Sequence, residues 1–223
     1  MIKAIIFDLD GVIVSTDHYH YLAWKKLADK YSIEFNEKIN ERLRGVSRAE
    51  SLEIILEKSN RKFTDDEKKE MLDLKNQLYL EYIKTMTPSD VSSDVKEILK
   101  YLKNNNYKIA IGSSSKNTKT ILNQINLLNS FDAIIDGNMI SKSKPDPEVF
   151  VKAGLAVGTD PSECLVVEDA IAGIEAGISA KMQTLAVGSA SEYKKSNFRM
   201  DKLNYQEFIK IVEGGRKWKN ILL

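Results

Sequence analysis

Four polar clusters carry residue types that can do chemistry: Asp8-Leu9-Asp10-Gly11, Ser113 to Asn117, Lys144-Pro145 and Glu168-Asp169. A carboxylate such as Asp8 can attack phosphorus and split a hard displacement into two easier steps through an acyl phosphate. Asp10 lies two residues on, so strand alternation puts both carboxyls on the same side, where the second can act as general acid and base. Gly11 lets the chain turn away. A carboxylate approaching an anionic phosphate meets repulsion. Mg2+, which takes about six oxygens in octahedral geometry, suits carboxylates plus a phosphate oxygen. Asp8, Glu168 and Asp169 are the candidate side-chain ligands. Ser113 and Lys144 offer a hydroxyl and an ammonium to a transition state that spreads charge over its equatorial oxygens. Taken alone, Ser113 reads equally as a helix N-cap.

These clusters sit just after strands. The apolar runs Ala4–Phe7, Ile109–Ile111 and Leu165–Val167 are short and β-branched, as buried parallel strands are, and Ile134-Ile135 and Thr184–Val187 are weaker examples. Helical patterns over Ser93–Asn104, Thr118–Leu127, Asp146–Val157 and Ala170–Gly177 alternate with them. The fold class expected is α/β: a doubly wound, Rossmann-like parallel sheet core with an inserted helical cap domain. In such a sheet ligands bind outside the carboxyl ends of the strands, so the separate clusters can converge on one site. The insertion reads as helices throughout, including Tyr19–Tyr31, Ala49–Ser59 and Asp65–Tyr82, and Thr87-Pro88-Ser89 is its return hinge. The expected division is a core of residues 1–15 and 88–223 and a cap of residues 16–87.

The chain has 223 residues, 43% hydrophobic and 29% charged, which is the composition of a folded globular protein. With 33 basic and 32 acidic residues it has no global field that would favour nucleic acid or an anionic membrane, so neither is an expected partner. The one cysteine, Cys164, cannot form an internal disulfide and favours a reducing compartment. The first residues reach carboxylates too soon for a signal peptide, and no apolar run approaches the length of a membrane span. A cytoplasmic protein is expected.

Two further segments could meet an anionic, hydroxyl-rich ligand. Ser115, Lys116 and Asn117 form a polar turn before a helix, whose N-terminus favours anions; the same residues also read as a solvated, capped turn. Arg44-Gly45-Val46-Ser47-Arg48 lies between cap helices, and arginine offers a planar fork suited to phosphate. The two histidines, His18 and His20, are two apart on a helix and point to nearly opposite sides, so one of them faces the cleft. Trp24 reads as cap packing whose N–H could also face that cleft.

In order and spacing, the clusters resemble the haloacid dehalogenase-like superfamily. Phe7-Asp8-Leu9-Asp10-Gly11-Val12 matches its first motif, Ser113 the second, Lys144 the third and Glu168-Asp169 the acidic fourth. An isolated DxD is weak; the ordered set is specific. The likeness to the sugar-phosphate mutases of the superfamily covers nearly the whole chain, through Tyr19-His20, Ala23-Trp24-Lys25, Gly45-Val46-Ser47-Arg48, Ser115-Lys116-Asn117 and Ser143-Lys144-Pro145. The resemblance implies Asp8 as nucleophile, Asp10 as acid and base, and the Asp10 backbone carbonyl as a further Mg2+ ligand. It assigns Arg48 to the non-transferring phosphate and the whole loop from Arg44 to substrate recognition, with Ser51 and Lys75 facing the substrate. It selects His20 over His18. The implied reaction interconverts β-D-glucose 1-phosphate and D-glucose 6-phosphate, with glucose 1,6-bisphosphate as intermediate and activator and a monomer as the expected state. A small-molecule phosphatase, with water as acceptor, is the alternative, and a non-enzymatic sugar-phosphate sensor a more distant one. The sequence departs from the usual pattern at Ser15, where an aspartate is usual, at Arg44, where lysine is typical, and at Ala170, where a serine is common; each could change substrate preference.

Overall fold

The computed structural model describes residues 1–43 and 47–217, the last three by backbone alone. Six parallel strands form one sheet in the order β3-β2-β1-β4-β5-β6: β1 Ala4–Phe7, β2 Lys108–Gly112, β3 Ala133–Ile135, β4 Cys164–Glu168, β5 Gln183–Ala186 and β6 Phe198–Arg199. The helices are α1 Asp17–Lys30, α2 Glu37–Glu41, α3 Arg48–Leu56, α4 Asp65–Ile83, α5 Ser93–Asn104, α6 Thr118–Gln124, α7 Glu148–Ala156, α8 Ile171–Ser179 and α9 Tyr205–Lys217. No described helix is long and apolar enough to cross a membrane.

The central strands are covered on both faces, which is why they read as unbroken apolar runs. On β1, Ala4 and Ile6 join Ala110, Val166, Phe150, Ala153 and Ala176 in one core beneath α7 and α8. Phe7, of the opposite parity, stacks on Phe208 of α9 with centroids 6.1 Å apart. Helix α5 buries Val95, Ile98, Leu99 and Leu102, a stripe at i, i+3, i+4 and i+7, and its N-cap Ser92 accepts from Val95 N–H.

The chain divides into two compact units, Met1–Ser15 with Thr87–Leu223, and Thr16–Met86. The second unit is helical and has its own core of Trp24, Leu27, Ile33, Phe35, Leu52, Ile55 and Met71, among others. Capping boxes start two of its helices: Ser47 with Glu50 for α3, and Thr64 with Glu67 for α4.

The strand order places the site. The chain runs outward from β1 through β2 to β3, then crosses to β4 on the other side of β1. The crevice at such a switch point is where open α/β sheets bind ligands.

Candidate active site

The register pairs Phe7 with Val167, and Asp8 N–H continues the ladder to the Val167 carbonyl at 2.9 Å. Asp8 therefore leaves β1 beside the end of β4, where Glu168 is the last strand residue and Asp169 follows it. One carboxylate oxygen from each of Asp8, Glu168 and Asp169 lies within 4.8 Å of the others. Lys144 enters from the loop before α7 and donates to Asp8 Oδ1 at 2.5 Å and to Glu168 Oε1 at 2.6 Å. These side chains are buried, with relative exposures of 10% for Lys144, 9% for Asp8 and 2% for Glu168.

Two glycines make this packing possible. Gly11 has φ +77°, and a Cβ there would fall 2.0 Å from Asp169 Oδ2. The turn it opens is closed by Gly11 N–H on the Val14 carbonyl at 2.9 Å. A Cβ on Gly173, in the first turn of α8, would fall 1.9 Å from Glu168 Oε1. The other Glu168 oxygen accepts from Ala170 N–H at 2.7 Å.

One ammonium thus faces two buried carboxyl groups, Asp8 and Glu168, with the part-exposed Asp169 beside them. Burial pushes the Asp8 carboxyl well above 3.8; Lys144 pulls it down, while Glu168 and Asp10 push it further up. Burial also opposes the Lys144 charge, but Asp8 and Glu168 outweigh it and raise its pKa. The donor set is all oxygen and carries more negative than positive charge, which fits a hard divalent cation.

Ser113, 1% exposed, follows β2 and is tied by its N–H to the Ile135 carbonyl at 3.0 Å. Its Oγ accepts from Ser115 N–H at 3.1 Å, so it shapes a turn and is not the N-cap of α6, a place held by Asn117. Ser115 Oγ in turn accepts from Asn117 N–H at 3.2 Å, while Lys116 is exposed.

In the helical unit, His20, Trp24, Lys75 and Arg48 draw together. Lys75 is 1% exposed, its Nζ 2.7 Å from His20 Nδ1 and within 5.0 Å and 4.7 Å of the Trp24 and Tyr79 ring centres. An ammonium has only donors, so Nδ1 accepts and the neutral His20 carries its proton on Nε2. His20 stacks on Tyr79 at 4.2 Å. Arg48 opens α3, partly buried, and Ser51 is buried one turn on. The Ser47 hydroxyl is spent on the cap, accepting from Glu50 N–H at 3.2 Å. Arg44, Gly45 and Val46 lie outside the described residues. His18 is exposed. Sequence reading overlooked Tyr79, though its spacing of four from Lys75 puts the two on one helix face. It also overlooked Gly173, whose signal was a glycine in a helix, at a cost of about 1 kcal/mol relative to alanine.

His20 makes a pH test. Burial first, then Lys75 and Arg48, hold it well below its ordinary value of 6.5. The unfolded chain then binds a proton that the folded chain refuses, so stability falls as pH drops through 6.5. The slope from this group approaches about 1.4 kcal/mol per pH unit at most, less because the ring is part-exposed. Chemical denaturation at pH 7 and pH 5 is expected to show a smaller loss for His20→Gln than for the wild type. Equal losses would contradict a suppressed imidazolium.

Residues 5–187 match the haloacid dehalogenase-like hydrolase family model. The β-phosphoglucomutase of Bacillus subtilis is 44% identical over 188 residues, 83% of each chain. A crystal structure of β-phosphoglucomutase from Clostridium difficile aligns with a TM-score of 0.86 at 41% identity, over 98% of this chain and 99% of that one. A phosphorylated carbohydrates phosphatase of Thermotoga maritima is 27% identical over 82% of this chain and 83% of its own. With its aspartate after β1, its buried lysine and its acidic pair at the end of β4, the chain belongs to the haloacid dehalogenase-like hydrolase family.

Proposed function

We propose that this protein is a phosphomutase that interconverts β-D-glucose 1-phosphate and D-glucose 6-phosphate, the reaction of a β-phosphoglucomutase. The observation that carries this reading is the 44% identity to the Bacillus subtilis enzyme across 83% of both chains. The buried Asp8–Lys144–Glu168 chain supports it chemically. The same reading takes residues 16–87 as a substrate-recognition cap, the cytoplasm as the location, glucose 1,6-bisphosphate as the activator and a monomer as the working form.

In the first transfer an Asp8 carboxylate oxygen attacks phosphorus as the bond to the sugar oxygen breaks. Asp10 protonates that leaving oxygen, and in the reverse direction takes the proton from an attacking hydroxyl. Ser113 and Lys144 donate to the equatorial oxygens as charge spreads over them. Phospho-Asp8 gives its group to the C6 hydroxyl of β-glucose 1-phosphate, forming the 1,6-bisphosphate. After the bisphosphate turns round, the C1 phosphoryl returns to Asp8 and glucose 6-phosphate leaves. Asp8, Glu168, Asp169 and the Asp10 carbonyl would hold Mg2+, which when bound supplies positive charge between the two anions. Arg48 is assigned to the phosphate that does not react, His20, Lys75, Ser51, Trp24 and the Arg44–Ser47 loop to the rest of the recognition surface, and Ser115, Lys116 and Asn117 to the sugar hydroxyls or that same phosphate.

Phosphorus NMR of β-glucose 1-phosphate with protein, Mg2+ and a trace of glucose 1,6-bisphosphate tests the reading. Build-up of glucose 6-phosphate with little inorganic phosphate is expected; inorganic phosphate alone would make the protein a phosphatase. Arg48→Ala is expected to lose about 10- to 100-fold in mutase kcat/KM, the worth of a charge-assisted phosphate contact. Phosphorylation of Asp8 by acetyl phosphate, which has no second phosphate, is expected to change little. Equal losses in both assays would remove Arg48 from this role.

A further inference from the structure

Lys144 reaches the acidic cluster from a stretch, residues 136–147, that contains no helix or strand. A long, flexible side chain on an irregular loop cannot hold an ammonium within hydrogen-bond distance of two carboxylates unless its backbone is anchored. The anchor is Glu148, the first residue of α7. Its Oε2 accepts three hydrogen bonds, from Ser141 N–H, Ser141 O–H and Lys142 N–H, each at 2.8 Å. Its Oε1 accepts from Lys152 Nζ at 2.6 Å, and Lys152 also donates to the Met139 carbonyl at 2.6 Å. The Glu148 N–H donates to Asp146 Oδ1 at 3.0 Å. One carboxylate therefore closes a ring from Ser141 to Glu148 with Lys144 near its middle, and a helical lysine one turn on ties the ring to the preceding loop.

We propose that Glu148 is a positioning residue, a clasp that fixes the loop carrying Lys144 and so holds its ammonium on Asp8 and Glu168. The Lys152 ammonium and the Lys142 and Ser141 donors hold the Glu148 carboxyl down to about 2, so the clasp stays ionised at any pH where the protein works. Its catalytic consequence rests on the phosphoryl-transfer reading above: with the loop unpinned, Lys144 spends less time where the equatorial oxygens form. The substrate-recognition residues belong to other segments, so the loss falls on kcat and leaves KM nearly alone.

The test has one arm that needs no activity. Brief acetylation with acetic anhydride, read out by peptide mass spectrometry, measures how exposed each amine is. In the wild type, Lys144 is expected to be among the most slowly labelled lysines. Glu148→Ala is expected to raise Lys144 labelling about tenfold or more while labelling of Lys108 and Lys195 stays unchanged, and to lower kcat about 10- to 100-fold, the scale of a misplacement near 1 Å. Glu148→Gln, which keeps an acceptor for the loop donors, is expected to restore most of the protection; should Glu148→Ala fail to fold, Glu148→Gln and Ser141→Ala, each with a smaller rise, carry the comparison. Unchanged Lys144 labelling in a folded Glu148→Ala protein overturns the clasp. Raised labelling with full kcat overturns its role in catalysis. A wild type without mutase activity would sink the functional reading, and the labelling arm would still decide whether Glu148 holds Lys144.

Discussion

Asp8→Asn is expected to fold normally and to lose at least about 10^4-fold in mutase turnover, the scale on which removing a nucleophile acts. The substitution is nearly isosteric, and the amide oxygen can still accept from Lys144, which keeps its second partner in Glu168. What disappears is the anionic carboxylate that forms the acyl phosphate; an amide oxygen is a poor nucleophile, and no other described carboxylate leaves β1 at the same point. The fold has no reason to collapse, because burial already disfavours charge at this position. Intact-protein mass spectrometry after incubation with acetyl phosphate is expected to show a phosphorylated wild type and an unmodified variant, with matching circular dichroism. A variant that turned over at the wild-type rate would end the covalent mechanism.

Much of this site was legible because its chemistry depends on residue type and strand ends. Continuous β-branched runs marked β1, β2 and β4, whose two buried faces leave no polar positions to interrupt them. The carboxylates and Lys144 then fell just beyond the runs or in the loops that follow. Other parts depend on information a local reading does not hold. Strand β6 has only the two residues Phe198 and Arg199, too few to show a period. Helix α9 buries Phe208 and Val212, four apart on one face, a short apolar signal that the sequence reading did not pick out. Helix α7 was expected from Asp146 and begins at Glu148, because Asp146 and Pro147 are used in the turn that leads into it. Ser47 looked like a substrate-loop residue; the Glu three positions on was the capping-box signal that it also starts α3. What Gly173 and Glu148 do was hidden for a different reason. Each matters through a distance to a residue elsewhere in the chain, Glu168 in one case and Ser141 with Lys142 in the other.

Lys144→Met is expected to damage stability and activity together, unlike Asp8→Asn. Lys144 is the ion-pair partner shared by Asp8 and Glu168 among the described residues. Removing one side of a buried pair costs about 3–5 kcal/mol, because the remaining charges stay out of water without compensation. Loss of a donor to the transferring group costs a further 10^2- to 10^3-fold or so in kcat. The stability deficit has a sign in pH. Burial already raises the Asp8 carboxyl above 3.8, and without the ammonium that lowers it the folded pKa rises further. A carboxyl whose folded pKa is raised favours the fold at low pH and loses that contribution as pH climbs through it. Thermal melts of chelator-treated protein are therefore expected to show a smaller deficit at pH 5 than at pH 8. Mg2+ is expected to raise the variant's Tm by mass action wherever the three carboxylates bind it, because those ligands remain. Lys144→Arg, which keeps the charge but replaces a compact ammonium with a planar fork, is expected to recover more of the stability than of the turnover. A deficit equal at both pH values, or absent altogether, would mean that Lys144 does not hold the carboxylate cluster together.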